Sequence, residues 1–355
     1  MAALTELKLP RAHQDRWSIR GLAARAVALA EDAERTGTFG VGGFLADRNG
    51  RILKEARNGV VVDGTVVDPT AHVERQLVTW YQERRQAGDR LPPPEDLLVV
   101  SSLDPCMMCT GALLNAGLSC LAVTDDPMAG VHARPGLQAL PRSLHERVKR
   151  TIGFLPSHDP ETRPDQIADL SGRYLSDALL ERANAAFSAS LDHVQDRFAP
   201  NHLGVIGARL SDRARRFVRR AGTGETQARL IGPDDTELLA RDDGQSYTLV
   251  DRAVFRLIRD YTNLCREAAI EGLDLPHPRS CRIVLDRLPE EAADFVADFG
   301  AIGSFLEGAP IHRPYVCASH ADADALARRQ ADLENFPPLY SEVIALSVGR
   351  CGSHR

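Results

Sequence analysis

Two short stretches of the chain carry potential metal ligands, Ala71-His72-Val73-Glu74 and Asp104-Pro105-Cys106-Met107-Met108-Cys109. Together they supply one imidazole and two thiols, which are ligands that zinc prefers in tetrahedral sites. His72, Cys106 and Cys109 make three ligands and leave the fourth position open to water, as in a catalytic rather than a structural zinc site. The pattern therefore predicts one Zn²⁺ per chain.

Each stretch is predicted to lie at the start of a helix. The first helix spans residues 70–85, with Thr70 as a candidate N-cap, and the second spans residues 106–116. Helix N-termini carry partial positive charge, which favours metal-bound thiolates and an ionised zinc water.

Glu74, two residues after His72, is the candidate catalytic residue. A carboxylate there can take a proton from the water and pass it to a ring nitrogen and a leaving amine. H-x-E followed by P-C-x-x-C is the zinc deaminase signature, although C-x-x-C alone is also typical of structural zinc sites and redox pairs.

Helices and strands alternate around these stretches, which predicts an α/β fold with a partly parallel sheet and helices on its faces. A buried strand is expected at residues 97–103, because seven apolar or small residues follow one another there. The remaining predicted elements are a helix at 22–35, strands at 41–46, 51–56 and 118–124, and a helix at 144–152.

Residues 22–130 resemble the cytidine deaminase-like superfamily, and most closely its branch of guanine, cytosine and bacterial tRNA adenosine deaminases. The resemblance implies a three-layer α/β/α fold with a mixed five-stranded sheet. It also implies that Asn58, after the second strand, binds the base, although Asn-Gly is typical of a turn as well. Ala71 and Asp104, which flank the metal ligands, are further expected substrate-binding residues. Besides the metal motif, the resemblance rests on Arg25–Ala33, Phe39–Val41, Asp68–His72 and Asp126–Gly130.

The charge distribution bears on the substrate. The whole chain has a formal net charge of -6, with +1 on residues 1–155 and -7 on the remainder. This is a poor footprint for nucleic acid, so we expect no nucleic-acid partner. The preferred substrate is a nucleobase, nucleoside or related small aminated heterocycle. Deamination of adenosine to inosine in tRNA is the alternative. A non-enzymatic zinc-stabilised binding module is an alternative of another class, and the presence of Glu74 weighs against it.

A chain of 355 residues is long enough for about two domains. We predict a deaminase domain at 1–155, a proline-rich linker at 156–164 and an accessory domain of α/β or α+β class at 165–355. A degenerate second deaminase copy is a further alternative for the accessory domain, which contains neither H-x-E nor P-C-x-x-C. Its predicted elements are helices at 177–194, 250–269 and 289–299 and strands at 227–231, 282–285 and 343–348.

Other sequence features give weaker expectations. No apolar run approaches the roughly 18 residues of a membrane span, and the N-terminus does not resemble a signal peptide, so a cytoplasmic location is predicted. The resemblance implies a homo-oligomer, with a dimer as the first expectation. The arginine-rich stretch 209–220 is either a solvated helix or a contact for substrate phosphate or RNA. No second catalytic zinc is expected in residues 165–355.

Overall fold

The structure is a computed structural model, and it describes most of the chain. The predicted linker at 156–164, the stretch 209–220 and the strand predicted at 343–348 lie outside the described residues. The described residues are 19–47, 49–126, 129–131, 137, 140–154, 176–202, 226–232, 237–242, 248–270, 281–285, 288–305, 316–318, 327–329 and 331–332.

A mixed five-stranded sheet forms the centre of the first half, in the order β2-β1-β5-β6-β7. Strand β1 pairs antiparallel with both β2 and β5, whereas β5, β6 and β7 run parallel. This confirms the predicted mixed five-stranded sheet. The strands are β1 (Gly42–Asp47), β2 (Ile52–Arg57), β5 (Leu97–Leu103), β6 (Ser119–Thr124) and β7 (Ile152–Phe154), and a small hairpin consists of β3 (Val61–Val62) and β4 (Thr65–Val66).

Helices cover both faces of this sheet, which gives the predicted three layers. Every residue of β5 is buried. Its side chains alternate, so that Leu98 and Val100 join the core under one helix layer and Leu97 and Val99 join the core under the other. The first layer contains α1 (Ile19–Arg35) and α5 (Asp177–His202), and the second contains α2 (Val73–Gln86), α3 (Met107–Ala116) and α4 (Arg142–Thr151).

The sequence signals predict the end of α3 correctly but not the start of α2. Helix α3 ends at Gly117, which has a φ of +66° in the left-handed C-cap conformation. Helix α2 begins at Val73 rather than at Thr70. The prediction of Thr70 as N-cap was wrong, because its hydroxyl and amide both donate to Asp68 in the preceding turn.

The second half contains a four-stranded sheet in the order β11-β10-β8-β9. Strand β8 pairs antiparallel with β9 and with β10, and β10 pairs parallel with β11. The strands predicted at 227–231 and 282–285 are confirmed, while β9 and β11 were not predicted. The strands are β8 (Thr226–Ile231), β9 (Glu237–Asp242), β10 (Arg282–Leu285) and β11 (Val316–Ala318), and the helices are α6 (Ala253–Ile270) and α7 (Ala292–Phe305).

The two halves share one hydrophobic core. Side chains of α6 and α7 belong to the same buried cluster as those of α2 and α3, and α7 packs along α3. On the other side of the first sheet, α5 packs on α1. The division into domains at 1–155 and 165–355 stays a prediction. None of the described helices has the length and apolar character that a membrane crossing demands.

Candidate metal centre

The predicted ligands lie at two neighbouring helix N-termini. His72 is the last residue before α2, and Cys106 is the last residue before α3. Helix α3 therefore begins one residue later than the sequence predicts. Cys109 lies in the first turn of α3. Helices α2 and α3 pack against each other on the same face of the sheet. The positive ends of both helices are therefore near the three ligands.

The three donor atoms are close enough to bind one ion. The ligand atoms of His72, Cys106 and Cys109 all lie within 4.8 Å of one another, and Nδ1 of His72 is 3.5 Å from Sγ of Cys106. Ligands in a tetrahedron around Zn²⁺ are about 3.5–3.8 Å apart, given bonds of about 2.0–2.3 Å. Both the spacing and the donor chemistry therefore fit one Zn²⁺, with Nδ1 as the ligating nitrogen of His72.

The two thiols differ in their tendency to ionise. The pKa of Cys106 lies well below its usual range, because Cys109 hydrogen-bonds to its sulfur and His72 is close by. Burial raises the pKa of Cys109. Since zinc binds the thiolate form, Cys106 is prepared for the metal, whereas Cys109 loses its proton as the metal binds.

A buried turn before α2 fixes the position of His72. The amide of Thr70 donates to Oδ1 of Asp68 over 2.9 Å, and its hydroxyl donates to the same atom over 2.7 Å. Arg75, on the first turns of α2, reaches back to Oδ2 of Asp68 and to the carbonyl oxygen of Thr70, both at 2.6 Å. The arginine is buried, so these charge-assisted bonds are shielded from water and hold the turn firmly.

Glu74 lies in the first turn of α2, and only 3% of it is exposed. Ser101 of β5 donates a hydrogen bond to Oε1 of Glu74 and so anchors one carboxylate oxygen. Burial raises the pKa of Glu74, and the bond from Ser101 opposes this effect in part. A carboxylate with a raised pKa is better suited to accept and return a proton near neutral pH.

Asn58 is buried, and two donors fix its side-chain carbonyl. The hydroxyl of Thr38 donates to Oδ1 of Asn58 over 2.7 Å, and the amide of Val60 donates to it over 3.0 Å. The same hydroxyl accepts from the amide of Val61 over 3.1 Å, so its proton is directed at Asn58. The Nδ2 group of Asn58 is therefore the end left to donate to a ligand.

Two aspartates follow neighbouring parallel strands and line the same cavity as the metal ligands. Asp104 follows β5, and its amide donates to the carbonyl oxygen of Thr124 over 2.8 Å. Asp126 follows β6, and its Oδ1 accepts from the amide of Ala129 over 3.1 Å. A Cβ on Gly130 would lie 2.3 Å from Oδ2 of Asp104, so only glycine permits this approach. Both carboxylates are buried beside the metal ligands.

Ala71 is a predicted substrate-binding residue, but unlike Asn58 and Asp104 it does not line the cavity. Its carbonyl oxygen accepts from the amide of Gly59 over 2.9 Å and from Nε2 of Gln76 over 2.8 Å. Its own amide donates to the carbonyl oxygen of Asp68 over 2.9 Å. Ala71 thus links the segment of Asn58 to the segment of His72, and its role as a substrate-binding residue stays a prediction.

A small cavity of about 60 Å³ opens over the metal ligands. Its wall combines apolar side chains with the polar side chains of Asn58, Glu74 and the two aspartates. Helices α5 and α7 of the second half contribute to the wall. The lining residues are Phe39, Val41, Asn58, His72, Glu74, Leu103, Asp104, Cys106, Asp126, Ala129, Phe187, Gly303 and Ser304.

Helix α5 is held against the cavity by backbone contact. A Cβ on Gly40 would lie 2.1 Å from the carbonyl oxygen of Ala186, so the loop and the helix touch without side chains between them. The amide of Gly40 donates to Oγ of Ser190 over 2.8 Å, and this hydroxyl donates to the carbonyl oxygen of Phe187 over 2.6 Å. These contacts position Phe187 beside the loop that carries Phe39.

Several residues that line the cavity or hold its lining side chains are not among the predicted site residues. Asp126 had a sequence signal, since it begins one of the stretches that resemble the superfamily. Ser101 and Thr38 act through Glu74 and Asn58, and nothing in their local sequence marks them. Phe187 and Ser304 come from distant helices and have no motif at all.

Part of the chain is similar to known proteins. Residues 18–124 match the family model of the cytidine and deoxycytidylate deaminase zinc-binding region. No protein of curated function matches the chain. One similar solved structure comes from a study of A-to-I editing by tRNA:A34 deaminases at the wobble position, with 20% identity, coverage of 30% of this chain and 76% of that one, and a TM-score of 0.23. Another comes from a study of guanine deaminase from Nitrosomonas europaea, with 16% identity, coverage of 50% and 84%, and a TM-score of 0.27. Residues 18–124 are a zinc-binding region of the cytidine and deoxycytidylate deaminase type.

Proposed function

We propose that the protein is a zinc-dependent aminohydrolase that deaminates a nucleobase, a nucleoside or a related small aminated heterocycle. The observation that supports this most directly is the position of Glu74. Its buried carboxylate faces the same small cavity as two of the three metal ligands. A zinc-stabilised binding module has no use for a buried carboxylate in that place, because burying a charge costs stability.

The reaction needs a nucleophile and a proton carrier. Zn²⁺ held by His72, Cys106 and Cys109 would supply a water of lowered pKa as the nucleophile. Glu74 takes the proton of that water and delivers it to the ring nitrogen next to the carbon under attack. Glu74 then takes the second proton of the added oxygen and passes it to the departing amine. The products are ammonia and the ring with a carbonyl group in place of the amine, so all atoms of the water are accounted for.

The polar residues that line the cavity supply the groups that orient the ring. Nδ2 of Asn58 would donate to a ring nitrogen or carbonyl of the substrate, because Oδ1 is already held by Thr38 and Val60. Asp104 and Asp126 would accept from ring N–H or amino groups. A planar heterocycle with both donors and acceptors at its edge matches this set, and the apolar lining residues would cover its face.

The size of the cavity favours a small substrate over RNA. Phe187 and Ser304 of the second half line the cavity, and a tRNA loop would have to insert a splayed base beside them. Residues 165–355 are part of the larger acidic segment, which repels phosphates. We also propose that the protein is located in the cytoplasm and that it forms a homo-oligomer, with a dimer as the first expectation.

Ammonia release is the test of this function. Purified zinc-loaded protein is incubated with cytosine, guanine, adenine, their nucleosides, 2,6-diaminopurine and unmodified tRNA, at low and moderate salt. We expect turnover of at least one small heterocycle, with little salt dependence. Turnover of tRNA alone with a steep salt dependence would select tRNA adenosine deamination instead.

The Glu74→Gln variant is the matched control for this assay, because it retains the shape of the side chain. A heterocycle whose turnover is abolished in this variant is a substrate of the proposed site. Turnover that is equal in wild type and variant would reject Glu74 as proton carrier. Saturable binding of heterocycles without any ammonia release would favour the binding module.

A further inference from the structure

The sheet of the second half repeats the sheet of the first half. In each half, a hairpin is followed by a helix and then by a third strand, which runs antiparallel to the first strand of the hairpin. A second helix and a fourth strand follow, and the fourth strand runs parallel to the third. The order β2-β1-β5-β6 corresponds to β9-β8-β10-β11 with the same relative directions. Helix α6 then corresponds to α2, and α7 corresponds to the metal-ligand helix α3.

Helices α3 and α7 cross in a reciprocal way. A Cβ on Gly111 would lie 2.5 Å from the amide nitrogen of Ala297, and a Cβ on Gly300 would lie 2.3 Å from the amide nitrogen of Met108. Gly111 thus approaches the residue three positions before Gly300, and Gly300 approaches the residue three positions before Gly111. Corresponding positions therefore meet across the crossing, which is the property of a two-fold interface between like subunits.

When α3 and α7 are aligned on Gly111 and Gly300, and α2 and α6 on their first residues, the second half has an ion pair where the first half has metal ligands. Cys109 lies two residues before Gly111, and Asp298 lies two residues before Gly300. His72 is the last residue before α2, and Arg252 is the last residue before α6. Arg252 binds Asp298 through two hydrogen bonds of 2.7 and 2.8 Å.

The surroundings of this ion pair also match the metal centre. A cavity of about 210 Å³ adjoins Arg252 and Asp298. It is lined by Leu285, the last residue of β10, as the metal-site cavity is lined by Leu103, the last residue of β5. Val254 lines it two residues after Arg252, which is the position that Glu74 holds relative to His72.

We infer that residues 226–318 are a second copy of the deaminase fold, which has an Arg252–Asp298 ion pair in place of the metal and acts as a built-in partner that completes the working site. The second copy touches the metal-ligand helix at Met108, between the two ligand cysteines. Within the described residues, the one group of three side chains able to hold a metal is that of the first copy. A removed metal site explains why the signature is absent from the second half, and this favours the degenerate copy among the sequence-based alternatives.

The contribution of the second copy to the working site is Ser304. This residue lies one helical turn after Gly300, lines the metal-site cavity and is 5% exposed. Among the described residues its hydroxyl has no hydrogen-bond partner, so it is available to a substrate. We assign Ser304 as a substrate-contacting residue that selects the substrate, an assignment that rests on the proposed function.

Zinc content tests the degenerate copy without any activity measurement. The full-length protein is loaded with excess Zn²⁺, freed of unbound metal by gel filtration and analysed for bound zinc. We expect one zinc per chain in the wild type and none in His72→Ala. Two zinc ions in the wild type, or one remaining in His72→Ala, would overturn the inference.

The Gly300→Ala variant tests the contact of the second copy with the metal helix. The added methyl group must displace the backbone at Met108, so we expect the protein to lose zinc to a competing chelator at a concentration at least about fivefold lower than the wild type. Gly59→Ala is the matched control, because a Cβ there makes ordinary contacts of 3.4 Å. Equal zinc retention in both variants and the wild type would contradict the proposed docking.

The Ser304→Ala variant tests the substrate contact, and it also serves if Gly300→Ala does not fold. Loss of one hydrogen bond predicts a KM about three- to tenfold higher, with kcat nearly unchanged. Thr262→Val is its control, because it removes a buried hydroxyl that bonds only within its own helix. Unchanged KM in Ser304→Ala, or an equal change in Thr262→Val, would refute the assignment.

If the wild type releases no ammonia, the proposed function is wrong. The zinc measurements then still test the inference that residues 226–318 are a second copy.

Discussion

Replacing Gly40 by alanine tests whether α5 is a fixed wall of the active cavity. The new Cβ would lie 2.1 Å from the carbonyl oxygen of Ala186 and 2.9 Å from the amide nitrogen of Phe187. Since carbon and oxygen atoms in contact are normally more than 3 Å apart, either the loop or the helix must move by roughly 1 Å. Both partners are backbone, so a side-chain rotation cannot relieve the clash.

The displacement has a cost in stability and a cost in binding. Overpacking of this kind destabilises by about 1–3 kcal/mol, and the hydrogen bond from the amide of Gly40 to Ser190 is strained as well. The free energy of unfolding from urea denaturation should fall by that amount. Phe187 moves with the helix, so the KM of the best substrate should rise while the zinc content stays at one per chain.

Gly59→Ala is again the appropriate comparison, because it adds the same methyl group near the site without a close contact. It should change the free energy of unfolding by less than about 0.5 kcal/mol. If Gly40→Ala were as stable as the wild type and had the same KM, α5 would not be packed against the loop as described, and Phe187 would not belong to the cavity wall.

Four further substitutions have definite expected outcomes. Glu74→Gln should keep zinc and stability and lose activity by a factor on the order of 10² or more, measured as kcat for ammonia release; wild-type turnover would exclude the proton-carrier role. Cys109→Ser should lower the zinc content well below one per chain by elemental analysis, because a hydroxyl is a weaker zinc ligand than a thiolate; full occupancy would mean that Cys109 is not a ligand. Asn58→Ala should raise KM with zinc content unchanged, and an unchanged KM would return Asn58 to the role of a turn residue. Arg252→Met should destabilise by about 3 kcal/mol in urea unfolding, since it leaves Asp298 buried without its partner; a double variant that also carries Asp298→Leu should recover part of the loss, and no recovery would argue against coupling of the pair.

The metal centre could be predicted because each part of it has a local signal. The all-apolar or small residues of β5 identify a buried strand, and P-C-x-x-C directly after it places two thiols at a helix start. His72 starts the helix between β2 and β5, and the zinc deaminase signature is what pairs it with these two thiols. These features depend on periodicity and on residue types within about ten positions, which a sequence displays directly.

The cavity walls could not be predicted, because they depend on close packing between distant segments. Gly40 against Ala186 and Gly300 against Met108 are contacts of backbone with backbone, and any small residue looks the same in the sequence. Strand β9 was missed for a different reason. Its sequence, Glu237 to Asp242, begins and ends with charged residues, so the apolar run is too short to indicate a strand.

The backbone contact between α3 and α7 determines how the protein can be dissected. Residues 107–114 of α3 are all buried, and α7 packs along the face of α3 that contains Met108 and Gly111. A fragment that stops at residue 155 would carry all three metal ligands and Glu74, yet it would expose this apolar helix face to water. Such a fragment is expected to aggregate or to release zinc, and its inactivity would report on solubility rather than on the chemistry of the site.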